Sequence, residues 1–285
     1  MIDTRSIDHL SLCSGIGGID LGLRAVVNGC RTIAYVEREA FCINHLVAQM
    51  EEGRLDSAPI YTDIHRFPWG HYRGLVDILS GGVPCQPFSH NGSRHGVKDP
   101  RHLWPSVREG IDIIRPAIVF LENVGGFATA KSDGYFSVLH HVCSDLERLG
   151  YTATAGLFTA GELGASQMRK RWFILAMAHP HHSGGRQNQL LCQLRAEGTE
   201  QSPRDTGDSP AREEEEVTRW PSGPDAPQHS WEKPRVTEPR LGGTTDGVSA
   251  RIHKLRTDRL RSLGNAVVPA VAALAFATLF EELVL

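Results

Sequence analysis

The chain alternates short apolar segments with segments of helical spacing, and this alternation limits the folds that it can adopt. Repeated strand–turn–helix units predict an α/β fold with a doubly wound, mostly parallel sheet, and polar residues follow the predicted strands where ligands bind such sheets. The first predicted strand lies in residues 10–18, where it runs into a glycine turn. The other predicted strands are 32–36, 59–62, 75–79, 117–121, 151–158 and 172–178. The predicted helices are 19–27, 40–50, 103–114, 135–149 and 270–283.

The length of 285 residues suits one large domain, or one domain with a small second one. No uninterrupted apolar run approaches the roughly 20 residues that a membrane span needs, so we expect no membrane partner. The N-terminal residues 1–8 are polar and carry no signal-peptide core, which predicts a cytoplasmic protein. A net charge of −3 gives no global signal for nucleic acid, so any DNA-binding surface must be local.

The six cysteines are scattered and form no C-x-x-C pair, which argues against zinc and against a disulfide framework. Three histidines, His179, His181 and His182, cluster after the last predicted strand, but no partner spacing supports a metal site. We therefore expect no metal.

Residues 81–89 read Gly-Gly-Val-Pro-Cys-Gln-Pro-Phe-Ser, directly after a predicted strand. Two glycines and two prolines around one cysteine predict a rigid turn that presents Cys85 at the carboxyl end of the sheet. The alternative is an inert, buried cysteine in an ordinary turn. The polar, glycine-punctuated segment 89–101 that follows is typical of a mobile lid or a binding loop.

Other strand ends also carry polar residues. The glycine-rich turn at residues 14–18 opens a predicted helix, and Glu37 follows Gly17 by twenty residues, where an acid can reach a ribose hydroxyl. This pair favours a nucleoside cofactor over a generic strand–helix turn. Glu122 and Asn123 end a buried strand, and Arg169 and Arg171 enter another strand at alternate positions, so their side chains point the same way.

The composition changes between residues 181 and 251, which hold 7 Pro, 8 Gly and few clustered aliphatic residues. This part carries 9 Lys and Arg against 12 Asp and Glu, with an acidic run at residues 213–216. It predicts an irregular insertion or a small, poorly cored second domain. Residues 251–261 are locally basic, and an apolar closing helix follows that we expect to pack into the main domain.

Six motifs occur in an order that resembles the DNA (cytosine-5)-methyltransferases of the bacterial and phage kind. They are residues 14–18, Glu37 with Asp63, 82–86, 122–124, 167–171 and 264–269. The resemblance covers about residues 1–180 and 258–285. It implies the fold of S-adenosylmethionine-dependent methyltransferases, with a catalytic and cofactor-binding domain made of residues 1–180 and 252–285. Residues 181–251 would be a short target-recognition region or insertion.

The resemblance also implies a mechanism that suits these residue types. The Cys85 thiolate attacks carbon 6 of cytosine, which makes carbon 5 nucleophilic. Glu122 holds ring nitrogen 3 and the exocyclic amine, and Arg171 with Arg169 holds the pyrimidine oxygen. The target base must leave the duplex to reach the thiol. The implied catalytic set is Cys85, Gln86, Glu122, Asn123, Arg169 and Arg171.

The implied cofactor is S-adenosyl-L-methionine, released as S-adenosyl-L-homocysteine. Its implied contacts are Ser14, Gly15, Ile16, Gly17, Gly18, Glu37, Arg38, Asp63, Ile64, Pro84, Leu103, Asn265 and Ala266. The chain departs from the family at two positions that flank the adenine, because Cys13 stands where an aromatic residue is common and Arg38 where a bulky apolar one is common.

The implied partner is double-stranded DNA, in a bacterial or phage-infected cell, with a cognate restriction endonuclease and the protein as a monomer. We expect DNA contacts from Ser89, Asn91, Arg94, Lys98, Lys254, Arg256 and Arg259. Three alternatives stay open at this point: a tRNA cytosine-5-methyltransferase on the same fold, a dinucleotide-dependent oxidoreductase, and a catalytically inactive DNA-binding relative.

Overall fold

The computed structural model of the protein describes residues 6–84, 103–128, 137–163, 169–179, 258 and 261–284. Seven described strands form one sheet. They are β1 (Ile7–Leu12), β2 (Cys30–Val36), β3 (Ile60–Tyr61), β4 (Ile78–Gly82), β5 (Ile118–Val124), β6 (Tyr151–Thr159) and β7 (Lys170–Ala178). Their order in the sheet is β3-β2-β1-β4-β5-β7-β6.

The main α-helices are α1 (Gly18–Val26), α2 (Ala40–Glu51), α3 (Trp104–Ile114), α4 (Val138–Arg148) and α5 (Pro269–Val284). Residues 258 and 261–265, before α5, are also helical. All five helices and seven strands predicted from the sequence are present. Helix α4 begins three residues later than predicted, because Ser137 has an extended backbone and its hydroxyl caps the helix by accepting the His140 N–H at 3.2 Å. The predicted second domain at residues 181–251 lies outside the described residues.

The sheet is mostly parallel, as predicted. Strands β1 to β5 pair in parallel, whereas β7 runs antiparallel to both of its neighbours, β5 and β6. Consequently, the edge that holds the carboxyl ends of β1, β2, β4 and β5 also holds the start of β7. This one reversed strand determines which residues meet at that edge.

Apolar residues alternate along the central strands and fill one hydrophobic cluster on each face of the sheet. Leu79, Leu121 and Ile174 face α3 and α4 on one side. Phe120 and Phe173 face the other side, where α1 and α5 pack, and their rings stack with centroids 5.3 Å apart. These two hydrophobic clusters hold the helices in place over the sheet and thereby set the positions of the loops at its edge.

The closing helix α5 packs into the domain, as predicted. Among the described residues, one stretch, Arg261–Val284, is long and apolar enough to cross a membrane by length and composition, which the run lengths in the sequence did not predict. In the fold, Val271, Ala275 and Phe276 are buried in the core against α1 and the sheet. Core packing thus accounts for part of the apolar composition of α5, since 33% of the most apolar window of the Arg261–Val284 stretch is buried.

The segment before α5 lies directly on the start of α1. A Cβ atom added at Gly18 would stand 2.2 Å from the Val267 carbonyl oxygen, so no larger residue fits there without movement. This contact joins the first and the last of the six motifs, which are about 250 residues apart in sequence.

Candidate active site

The sequence-predicted residues that are described gather at the edge where β1, β2, β4 and β5 end. The reversed direction of β7 matters most here, because Val124 at the end of β5 pairs with Arg171 near the start of β7. Glu122, two residues before Val124, therefore lies beside Arg171 on the same face of the sheet. The structure brings these two predicted catalytic residues into direct contact.

Glu122 and Arg171 form a close ion pair in a nearly water-free position. The Oε1–Nε distance is 2.7 Å, and the side chains are 8% and 14% exposed. Neither Glu122 Oε1 nor Arg171 Nε has a hydrogen bond of good geometry within the described part of the chain, although the contact with Arg171 acts to lower the Glu122 pKa. Both groups therefore keep hydrogen-bonding capacity that a bound ligand can use.

Burial sets the protonation of Glu122. Loss of water raises the pKa of its carboxyl group from 4.5 to about 7, although the positive charges of Arg171 and Arg169 act in the opposite direction. Near neutral pH, a large fraction of the molecules therefore carries Glu122 as a neutral carboxylic acid, which can donate a hydrogen bond.

Asn123 holds the chain just after β4, two residues before Cys85. Its side-chain Nδ2 donates to the Val83 carbonyl oxygen at 2.8 Å, and both groups are buried. Gly82, one residue earlier, pairs with Glu122 across the sheet, and a Cβ atom there would come within 3.3 Å of Glu122 Oε2. The chain is thus held tightly against the Glu122 carboxylate just before Pro84.

Pro84 is half-buried and is the last described residue before the nucleophile motif. Several sequence-predicted site residues follow it or lie in the other parts of the chain that are outside the described residues. These are Cys85, Gln86, Ser89, Asn91, Arg94, Lys98, Lys254, Arg256 and Arg259.

Glu37 links β2 to the glycine turn. Its buried carboxylate accepts the Gly15 N–H at 2.7 Å through Oε2 and the Glu39 N–H at 2.8 Å through Oε1. Each carboxylate oxygen has two acceptor sites, so one site on each remains for a further donor. Ser14 closes the same turn, because its N–H donates to the Val36 carbonyl at 3.2 Å and its carbonyl accepts the Gly17 N–H at 2.9 Å.

Cys13 and Arg38, the two residues that depart from the family pattern, have different structural surroundings. Cys13 has a left-handed backbone (φ 48°) at the end of β1, and burial together with the nearby Glu37 charge raises the pKa of its thiol to about 12. Arg38 has a side chain that is 82% exposed and lies 3.8 Å from Glu39 Oε1. Neither residue provides an aromatic or apolar wall at this edge.

Asp63 ends β3 and caps the short 3-10 helix Ile64–Arg66 by accepting the His65 N–H at 3.0 Å. Its carboxylate is 46% exposed and lies 3.6 Å from the Nε of the exposed Arg66. His65 then reaches across to α3, where its Nδ1 lies 2.9 Å from the Ser106 hydroxyl. This contact joins the segment that carries Asp63 and Ile64 to the helix that begins after Leu103.

Arg169 contacts the closing motif instead of Glu122. Its guanidinium group donates to the carbonyls of Leu263, at 3.0 Å, of Gly264, at 2.7 Å, and of Ala266. Arg171 makes a longer contact to the same Gly264 carbonyl, at 3.4 Å. The arginine motif is thereby joined to the segment that contains the predicted cofactor contacts Asn265 and Ala266.

Sequence reasoning missed an apolar cleft beside the site. It lies on the opposite face of the sheet from Arg171 and is lined by Val83, Trp104, Leu121, Glu122, Asn123, Val142, Trp172 and Ile174. The Trp104 indole N–H donates to Asp145 on α4 at 2.9 Å, which ties the start of α3 to α4. The signal available in the sequence was a tryptophan at the first turn of a helix that follows the nucleophile motif.

Sequence reasoning also missed a buried polar cluster between β1, β2 and α1. The His9 imidazole contacts the hydroxyls of Thr32, at 2.9 Å, and Ser80, at 2.7 Å. Asp20, in the first turn of α1, is buried and lies 3.8 Å from His9. Its carboxylate oxygens have no hydrogen bond of good geometry among the described residues, although the nearby Ser11 hydroxyl and a backbone N–H act to lower its pKa. Burial raises the pKa of Asp20 to about 6.

Within the described ranges, no three His, Cys, Asp or Glu side chains are grouped so that they could hold a metal ion. The four described cysteines, Cys13, Cys30, Cys42 and Cys143, are free thiols. Burial raises the pKa of all four, to about 12 for Cys13 and Cys30 and about 11 for Cys143. None of them has the ionised character of a nucleophile.

A family model described as C-5 cytosine-specific DNA methylase matches residues 7–220 of the chain. The Type II methyltransferase M.NgoMIV of Neisseria gonorrhoeae is 33% identical over 172 residues, which are 60% of this chain and 52% of the relative. The Type II methyltransferase M.NaeI of Lentzea aerocolonigenes is 30% identical over 173 residues, which are 61% of this chain and 40% of the relative. The chain therefore spans about half the length of the relatives that it matches.

Among solved structures, a mutant of DNMT2 from Spodoptera frugiperda matches with a TM-score of 0.50 and 21% sequence identity. The match covers 61% of this chain and 50% of that chain. At this identity, the likeness concerns the fold alone.

Proposed function

The chain belongs to the C-5 cytosine-specific DNA methylase family, and we propose that it transfers a methyl group from S-adenosyl-L-methionine to carbon 5 of a flipped-out cytosine in DNA. The observation that carries the proposal is the buried pair of Glu122 and Arg171, 2.7 Å apart, beside the end of β4 that precedes Cys85. A carboxyl group that is partly protonated at neutral pH, beside a fixed guanidinium cation, can stabilise a heterocycle that gains negative charge during the reaction.

Glu122 is proposed to bind the Watson–Crick edge of the cytosine. As a carboxylic acid it donates to ring nitrogen 3, and its second oxygen accepts from the exocyclic amine. The pKa of about 7 supports this role, because an acid of that strength can both donate the hydrogen bond and share its proton as charge develops on the ring. Arg171 is proposed to bind the pyrimidine oxygen with donors that the ion pair leaves free.

Cys85 is proposed as the nucleophile. Its sulfur forms a bond to carbon 6, and the electron pair of the C5–C6 double bond moves to carbon 5, which becomes nucleophilic. After methyl transfer, loss of the carbon 5 proton restores the double bond and expels the thiolate. The high thiol pKa values of the described cysteines support Cys85 in this role, because those residues would remain protonated.

Asn123 is proposed to position Cys85. Its hydrogen bond to the Val83 carbonyl, two residues before the cysteine, holds the end of β4 in one conformation. The preceding Gly82 allows the backbone to approach Glu122 closely. A nucleophile carried on such a turn is aligned without a large loss of entropy on substrate binding.

The residues at β1, β2 and β3 fit a nucleoside cofactor. Glu37 keeps one acceptor site on each oxygen for ribose hydroxyls, and the half-exposed Asp63 carboxylate can accept from an adenine amine. Ser14 to Gly18, Ile64, Pro84, Leu103, Asn265 and Ala266 are proposed to complete the site. When bound, S-adenosylmethionine supplies the methyl group as an electrophile.

We propose DNA contacts for Ser89, Asn91, Arg94, Lys98, Lys254, Arg256 and Arg259, and Gln86 as a further residue near the base. We also propose a cytoplasmic monomer that acts in a restriction-modification system beside a cognate endonuclease. The names of the relatives, Type II methyltransferases, support this system.

The test of the proposed function is transfer of a labelled methyl group from S-adenosylmethionine to mixed duplex DNA and, separately, to tRNA. We expect label at carbon 5 of cytosines in duplex DNA only. DNA with 5-fluorocytosine should trap a covalent adduct, because the fluorine cannot leave as the carbon 5 proton does.

The matched control is Cys85→Ser, which should transfer no label and trap no adduct. Label on tRNA but not on DNA would replace the proposed substrate with tRNA. An adduct that persists in Cys85→Ser would show that another residue is the nucleophile.

A further inference from the structure

Arg169 occupies a position that its expected role as a ligand of the pyrimidine does not explain. Three of the five N–H groups of a guanidinium are engaged by the carbonyls of Leu263, Gly264 and Ala266. Leu263 and Gly264 lie in the last turn of a helical segment that ends at Asn265, and Ala266 follows it in the link to α5. A fork of donors across this helix end fixes its backbone conformation.

The helix end that Arg169 holds contains the residues expected to contact the cofactor. Asn265 lies between the bonded carbonyls of Gly264 and Ala266, so its position depends on them directly. Val267, which follows Ala266, has its carbonyl oxygen against Gly18 at the start of α1, inside the glycine turn. The held segment therefore forms one wall of the proposed cofactor site.

The same segment reaches the other side of that site. Arg261 Nη2 lies 3.8 Å from Glu39 Oε1, and the Ser262 hydroxyl lies 3.5 Å from Cys42 Sγ on α2. Residues 261–267 thus contact the chain after Glu37, the glycine turn and the start of β7. These contacts surround the place where β1 and β2 end.

Arg169 also lies beside the proposed base site without taking the position of Arg171. The Arg171 charge contributes to lowering the pKa of Arg169 after the larger effect of burial, so the two guanidinium groups are neighbours. Only Arg171, however, lies in contact with Glu122. Arg169, just before β7, and Arg171, inside it, thus have different main partners, although both reach the Gly264 carbonyl.

From these contacts, we infer that Arg169 is a positioning residue that sets cofactor affinity by holding residues 263–266, and that it does not bind the cytosine. The inference rests on the proposed function. It assigns the two arginines of the motif to separate tasks, Arg169 to the cofactor wall and Arg171 to the base.

The experiment compares wild type, Arg169→Gln and Arg169→Lys by calorimetric titration with S-adenosylhomocysteine in the absence of DNA. We expect Kd to rise about tenfold in Arg169→Gln, which loses charge-assisted hydrogen bonds, with an unchanged stoichiometry near one site. Arg169→Lys keeps the charge but not the fork and should lie between the two. Arg73→Gln, an exposed arginine away from the site, is the matched control and should bind like wild type.

Steady-state kinetics provide the second measurement. The KM for S-adenosylmethionine should rise in Arg169→Gln, while the KM for DNA and kcat at saturating cofactor change less than about threefold. Arg171→Lys should show the reverse pattern, with normal cofactor affinity and a lower kcat.

Three results would overturn the inference. An unchanged Kd with a reduced kcat would make Arg169 a ligand of the base. An unchanged Kd with a lower stoichiometry would indicate only a loss of folded protein. Failure of wild type to bind S-adenosylhomocysteine at all would overturn the proposed function together with the inference, and it is distinguishable because wild type is titrated first.

Discussion

At the scale of single residues, the proposed chemistry depends on the Glu122 carboxyl group. An exposed glutamate would be almost fully ionised at neutral pH and could only accept hydrogen bonds. Burial at the end of β5 raises its pKa to about 7, and Arg171 keeps the pKa from rising further. The two opposing effects leave an acid whose protonated and ionised forms are both populated near physiological pH.

The pH dependence of the reaction should report this balance. The carboxylic acid form is populated below about pH 7 and lost above it, so the single-turnover rate should fall as pH rises through about 7. Ionisation of Cys85 acts in the opposite direction, which gives a bell-shaped profile. Glu122→Gln cannot share a proton and should react roughly 100-fold or more slowly, without the falling limb.

The matched control for this change is Glu109→Gln, because Glu109 is an exposed glutamate on α3. It should keep both the rate and the shape of the wild-type profile. A falling limb near pH 7 that survives in Glu122→Gln would assign that titration to another group.

At the scale of secondary structure elements, a buried carboxylate in the first turn of α1 lowers the stability of the folded protein. Asp20 is buried against β1, and the loss of water outweighs the weak stabilisation of its carboxylate by the Ser11 hydroxyl and a backbone N–H. Its pKa of about 6 in the folded protein is above the ordinary value of 3.8, so the folded state binds the proton more tightly than the unfolded chain does. The free energy of unfolding therefore decreases as pH rises towards 6, and it stays low above pH 6.

Replacing Asp20 with Asn should relieve this cost. The free energy of unfolding should increase in Asp20→Asn, and the gain should be about 2 kcal/mol larger at pH 7.5 than at pH 4.5. The measurement is urea unfolding of both proteins at the two pH values. Glu281→Gln, which changes an exposed carboxylate on α5, should show no such difference. An equal gain at both pH values would mean that Asp20 is ionised throughout this range in the folded state.

At the scale of the whole molecule, charge must be distributed unevenly if the protein binds DNA. The net charge is −3, and the run Glu213–Glu216 would be repelled by phosphates. The basic residues nearest in sequence to the catalytic motifs are Arg94, Lys98 and those of 251–261, all but one of them outside the described residues. We therefore expect the acidic run to lie away from the duplex.

A salt titration of DNA binding tests this arrangement. Each phosphate contact contributes about 0.9 to the slope of log affinity against log salt concentration. Replacing Lys254, Arg256 and Arg259 with Ala should flatten that slope by up to about 2 to 3 units. The companion variant, with Glu213–Glu216 changed to Gln, should recognise the same DNA sequence. An unaltered slope in the first variant, or a new target sequence in the second, would place the DNA on another face.

The sequence by itself determined the fold class and predicted candidate residues for the site. Buried strands such as 117–121 are apolar throughout, and amphipathic segments such as 103–114 separate them, so the local periodicity predicts both elements and their order. Gly17, Glu37 and Glu122 could be predicted as candidates because each lies at or just after the end of a predicted strand, and strand ends in a parallel sheet meet at one edge.

Only the tertiary structure decided what these residues contact. The antiparallel direction of β7 places Arg171 against Glu122, and periodicity cannot show the direction of a strand. The long-range contact of Arg169 with residues 263–266 depends on how α5 packs on α1, since the partners are more than 90 residues apart. The sequence also could not predict the pKa of Glu122, because it reflects burial and neighbouring charges that exist only in the folded protein.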